Sequence, residues 1–142
     1  MKTDIQITLP DGWKINRDNY TDDSGETISH IEASLTDDSA FFEVHAGPMP
    51  EGETAEDQAF ANYAESVGFD DDDEGSPIVK FKWNGRNAWG FEALCEDDRP
   101  LRLISQEVRS GVLAIIIIGA TDDTQLEKVS ELVETHLRIK TL

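Results

Sequence analysis

The chain has 142 residues, 38% hydrophobic and 30% charged, with 30 acidic side chains against 12 basic ones and a formal net charge of −18. That length suits a single domain over residues 1–142 with a sizeable core, and the composition is that of a globular chain rather than a disordered one. A field this negative repels phosphate backbones and anionic lipid. It argues against nucleic acid and membrane as partners, and for a basic protein, a cationic ligand or a divalent ion; its plainest role is solubility.

The opening "MKTDIQITLPDGW" carries no charged-then-apolar leader pattern, because Asp4, Gln6 and Thr8 interrupt the apolar residues. "ITLPDGWKI" (7–15) reads as a short strand, a Pro-Asp-Gly turn and a second extended piece. "TISHIEASL" (27–35) and "AFFEVHAG" (40–47) alternate as strands do. "TAEDQAFANYAESVG" (54–68) reads as a helix. Thr54 caps it, Glu56 and Asp57 suit its positive end, Gly68 stops it, and Ala59, Phe60, Tyr63 and Val67 form its apolar stripe.

Four further strands follow: "PIVKFKW" (77–83), "NAWGFEAL" (87–94), "LRLISQEV" (101–108) and "VLAIIIIGA" (112–120). The last lacks polar alternation, which predicts a central strand covered on both faces; it is far short of the ~20 residues a membrane helix needs. "DDTQLEKVSELVETHL" (122–137) is the closing helix, with Leu126, Val129, Leu132, Val133 and Leu137 on one side. His136 falls late in it, where a cation complements the helix end. The expectation is an α+β fold: a mainly antiparallel sheet of about six to seven strands flanked by two helices.

Side-chain parity sets the strand pairings. In "KFKWNGRNAWGF" a two-residue Asn84-Gly85 turn would place Phe81 and Trp83 on one face and Trp89 and Phe91 on the other. A three-residue loop with Gly85 left-handed pairs Val79 with Trp89 and joins the sets, so that form is expected unless both faces are covered. In the earlier hairpin, a turn at Asp37-Asp38 pairs Ile31 with Val44 and Ala33 with Phe42. The same register sets His30 opposite His45 and Glu32 opposite Glu43 on the other face, with opposed β-carbons ~5 Å apart. Two imidazoles and two carboxylates are ligands that zinc or another divalent transition metal accepts; a plain solvated face is the competing expectation.

Other chemistry is thin. The acids at 70–74 start like a calcium loop, but the twelfth position is Phe81, not a bidentate glutamate, and a strand follows, so a hydrated loop is expected. Cys95 is the lone cysteine. It cannot form an internal disulfide, which suits a reducing cytoplasm, and Glu96, Asp97 and Asp98 beside it disfavour a thiolate. No phosphate loop occurs, and Ser105, Ser110 and Ser130 lack nucleophile-elbow glycines. No catalytic residue and no resident cofactor is expected.

"LPDGW", the capped acidic helix from Thr54, "WNGRNAWGF" and the closing amphipathic helix together resemble the PsbP-like fold group across most of the chain, its small bacterial branch in particular. That group includes a photosystem extrinsic subunit, a nuclear-import factor that binds the Ran GTPase, and bacterial chaperones for secreted effectors. The resemblance implies an antiparallel sheet flanked by helices, and protein binding without catalysis. The functional expectation is therefore a cytoplasmic adaptor or chaperone-like domain for a basic or apolar protein segment, with a self-complementary dimer face as one form. Trp13, Phe41 and Trp89 are its candidate contact residues. The alternative is a metal-dependent protein using His30, Glu32, Glu43 and His45.

Overall fold

The computed structural model describes residues 3–67, 78–94 and 98–141. The acid run at 70–74, Cys95 and the side chain of Val67 lie outside these residues. The chain runs β1 (Thr3–Gln6), β2 (Trp13–Arg17), β3 (Tyr20–Thr21), β4 (Thr27–Leu35), β5 (Ala40–Pro48), α1 (Ala55–Val67), β6 (Val79–Trp83), β7 (Arg86–Leu94), β8 (Pro100–Arg109), β9 (Val112–Ala120), α2 (Asp123–His136) and β10 (Arg138–Thr141). The main sheet has the order β2-β4-β5-β9-β8-β7-β6, with β3 beside β4, and every pairing is antiparallel. β1 and β10 form a second, two-stranded sheet. The α+β class and the order of strands, helix, four strands and helix are as the pattern predicts. The short strand expected ahead of the Pro10-Asp11-Gly12 turn is not formed at 7–9 but earlier, as β1 at Thr3–Gln6, and β3 and β10 are additions, each too short to show a period.

Both helices are placed by their start signals. The Asp57 amide donates to Thr54 Oγ1 (3.1 Å) and the Thr54 amide to Asp57 Oδ2 (3.0 Å), a reciprocal cap for α1. The Gln125 amide donates to Asp122 Oδ1 (2.8 Å) at the start of α2. On α2, Leu126, Val129 and Val133 are buried against the sheet at the face of Phe42, Val44, Ile104, Ile116 and Ile118. Each such aliphatic residue contributes about 1.5–3 kcal/mol by leaving water. This layer is the core.

α1 packs on the opposite face, across β7 and β8. Ala55 and Ala59 are buried and Tyr63 meets the edge of Phe91 at 5.3 Å, whereas Phe60 is 45% exposed and is not part of the stripe. The small residues at 55 and 59 let the helix sit close to the sheet, which turns Phe60 outward. Among the described residues α1 lies over β7 and β8, and β9 is less covered on that side. Ala114, Ile116 and Ile118 are buried, but Leu113, Ile115 and Ile117 are only half-buried. The central strand is thus closed on one face and partly open on the other, against the expectation of two full covers.

The 79–94 hairpin also differs from its expected form. Lys80 faces Trp89 and Trp83 faces Arg86 across a two-residue turn. Asn84 (φ 53°) and Gly85 (φ 83°) both take the left-handed conformation that such a turn demands. The two aromatic sets do lie on opposite faces. Phe81 and Trp83 meet the α2 layer, and Phe91 meets α1. With helices on both sides, parity no longer penalises the tighter turn. The buried Gln106 side chain adds to it by donating to the Trp83 and Arg86 carbonyls (2.7 and 3.3 Å).

Candidate functional site

The β4–β5 hairpin has the register read from the sequence: Ile31 opposite Val44, Ala33 opposite Phe42, His30 opposite His45 and Glu32 opposite Glu43. Ile31, Ala33, Phe42 and Val44 enter the core, so period-two geometry puts both histidines and both glutamates on the outer face. This is the side that carries α1, two strands away from the helix, beside half-buried Ile115 and Ile117.

The His30 and His45 rings stack at 4.3 Å with an 18° interplanar angle. Nε2 of His30 lies 3.7 Å from Glu32 Oε1, and Nε2 of His45 lies 3.8 Å from Glu43 Oε2. Donor atoms of His30, Glu43 and His45 all fall within 4.8 Å of one another. His45 Nδ1 and the Tyr20 hydroxyl are hydrogen-bonded at 3.0 Å, and Tyr20 approaches both rings edge-on. Tyr20 is the residue that sequence reasoning missed; a two-residue strand at 20–21 has no period to reveal it. The His45 ring holds the Glu43 carboxyl below the usual glutamate range, against the upward push of burial. Burial, with Asp22 and Glu43 adding to it, raises the Tyr20 phenol, so it stays a neutral hydroxyl. His30 Nε2 is buried and has no hydrogen-bond partner among the described residues; such an orphaned atom costs about 1–3 kcal/mol.

The three aromatic contact candidates do not form one surface. Trp13 sits on the core side of the sheet, 5.3 Å from Phe42. Phe41 and Trp89 lie on the α1 side. The Phe41 ring lies over Gly119, where a β-carbon would collide with it, and remains 37% exposed. Trp89 is half-buried under Lys80 Nζ, 5.7 Å from the ring centre.

A groove of about 490 Å³ opens on the core side instead, between the β6–β7 end of the sheet and α2. Val79, Phe81, Trp83 and Gly90 give it an apolar floor, and Glu92, Glu127, Glu131 and Glu134 face Lys82 and Arg102 around it. Arg102 donates to Glu92, Glu127 and Ser130 Oγ, tying the sheet to α2. Glu134 accepts from the Asn84 amide (2.8 Å). Glu131 has no ion pair or hydrogen bond with the described residues, so the rim keeps unneutralised negative charge. β6 ends the sheet order, and Val79 on it is 59% exposed.

Fold and sites together define an antiparallel α+β sheet protein with helices on opposite faces, a His/Glu patch on one side and an acid-rimmed apolar groove on the other. No helix among the described residues is long and apolar enough to cross a membrane. Comparison with protein-family models, with curated proteins and with solved structures found no match to this chain.

Proposed function

We propose that this chain is a non-catalytic, cytoplasmic protein-binding domain, adaptor or chaperone-like, whose groove between β6–β7 and α2 takes an extended basic segment of a partner protein. The observation that carries the reading is the groove itself: an apolar floor rimmed by four carboxylates against two cations. Apolar side chains of the segment fill the floor, and Lys or Arg beside them meets Glu131 and Glu134. Carboxylate–cation pairs at such a rim set encounter rate and partner choice more than final affinity. A segment in strand form also has β6 beside it, the last strand of the sheet among the described residues, on which main-chain pairing can extend. The acidic chain favours this class of partner at long range. A helix-flanked antiparallel sheet also suits the PsbP-like resemblance, whose members bind proteins.

The test is a titration of isotope-labelled full chain with a synthetic peptide alternating Arg or Lys with Val or Leu, followed by amide chemical shifts. Saturable shifts confined to Phe81, Gly90, Ser130 and Glu131 are expected, absent with the acidic counterpart and weakened by Glu131→Lys. Equal binding of that variant, or shifts scattered over the acidic surface, would sink the reading.

A further inference from the structure

The geometry points to a second binding site, independent of the groove: we propose that His30 Nε2, His45 Nε2 and the Glu43 carboxylate bind one divalent transition-metal ion of the zinc type, with Glu32 as fourth ligand. Four arguments converge on it.

The first is donor chemistry. Two imidazole nitrogens and carboxylate oxygen form a set that zinc and its neighbours accept, while calcium and magnesium prefer oxygen alone. The second is placement. The donors sit on facing positions of one hairpin whose register is fixed by the burial of Ile31, Ala33, Phe42 and Val44, so the sheet holds them together without any ligand. The third is the orphaned His30 Nε2, buried and without a hydrogen bond among the described residues. A cation there satisfies it, and the Glu32 carboxylate at 3.7 Å is too distant to do so as it stands. The fourth is the outer shell. Metal-bound histidine typically donates its other ring N–H to a fixed acceptor. His45 Nδ1 has such a partner in the Tyr20 hydroxyl at 3.0 Å. With Nδ1–H donating to Tyr20, the lone pair lies on Nε2, the atom nearest Glu43.

The stacked rings define what binding must change. Zinc–nitrogen bonds of about 2.0–2.1 Å put two nitrogens on one ion about 3.3 Å apart. One ligand atom each of His30, Glu43 and His45 lies within 4.8 Å of the others, so a closure of about 1.5 Å or less brings these three to that spacing, and Glu32 has to swing in from outside the group. An ion binds in the plane of an imidazole, however, and two rings stacked at 18° cannot both point at it. Binding therefore rotates the rings out of their stack while the backbone stays in place. Half-buried Ile115 and Ile117 beside the patch limit water on that side.

The experiment titrates chelator-stripped full chain with zinc chloride and follows the histidine ring signals and calorimetric heat. His30 and His45 should shift together, saturating at one equivalent, while His136, far off on α2, stays unmoved and serves as the internal control. Cobalt should give the visible absorption of a nitrogen-and-oxygen tetrahedral site. His45→Ala should abolish stoichiometric binding. Glu43→Gln, nearly isosteric and so safer for folding, should weaken it by at least tenfold. Tyr20→Phe should weaken it by about 10–100-fold, as loss of an outer-shell partner does. Zinc uptake unchanged in His45→Ala and Glu43→Gln, or displaced by equal calcium, would mean loose cation condensation on the acidic surface and would overturn the assignment. So would histidine signals that never move.

Discussion

Replacing Arg102 by Met should make the protein less stable yet better at holding a basic peptide. The Arg102 side chain is 19% exposed, while its carboxylate partners Glu92 and Glu127 are 60% and 65% exposed. Two ion pairs with such wet partners are worth about 0.2–1 kcal/mol each. Ser130 is buried and loses the guanidinium bonded to it, at about 1 kcal/mol. Met keeps the stem packing, so the head group alone is removed. The sum is about 2 kcal/mol, or about 4–8 °C in melting temperature for a chain of this size. Urea unfolding followed by tryptophan fluorescence measures it. At 1 M salt the Debye length falls to about 3 Å, so the carboxylate part should fade while the Ser130 part persists. In the same variant Glu92 and Glu127 lose their counter-charge, and the groove becomes more negative. Affinity for the basic peptide should rise at low salt. A variant as stable as wild type, or one that binds the peptide more weakly while still folded, refutes the role given to Arg102.

Gly85→Ala should cost about 1–2 kcal/mol in denaturant unfolding, because position 85 must hold φ 83° in the β6–β7 turn. Thr54→Ala removes the oxygen that accepts the Asp57 amide; a loss of about 1 kcal/mol is expected, read as faster hydrogen exchange in the first turn of α1. The Ser39 hydroxyl and amide hold the Asp37 carboxyl below its ordinary range. Its folded value is depressed, so the stability it adds is present above the unfolded value and vanishes as pH falls through the folded one. The gap in melting temperature between wild type and Asp37→Ala should be constant at neutral pH and close below about pH 4.

Where burial enforces alternation, the sequence was legible. Ile31, Ala33, Phe42 and Val44 have one side only on which to hide, so the β4–β5 register and the meeting of His30 with His45 followed from counting. The same reasoning failed at the β6–β7 hairpin. Trp83 and Phe91 each find a different helix to cover them, and nothing local to "KWNGRNAWGF" says so. Tyr20 and the β1–β10 pair could not be read because two to four residues carry no period. The groove was invisible for another reason. Glu92, Arg102, Glu131 and Glu134 belong to three elements, and only the crossing of α2 over the sheet brings them together. Phe60 faces water because alanines at 55 and 59 supply the closer contact, a choice that helical spacing alone does not make.

The sheet between the helices also acts as a partition. Successive residues of β9 serve opposite sides: Ile116 and Ile118 back the layer under α2, while Ile115 and Ile117 border the histidines. The groove is lined by β6, β7, β8 and α2, and the histidine patch lies on β4 and β5 beside β9, so no side chain belongs to both. Changes more than about 7–10 Å apart with no shared partner combine additively. Loading one side should leave affinity on the other untouched, and a measured linkage between them would require the strands themselves to shift in register or twist.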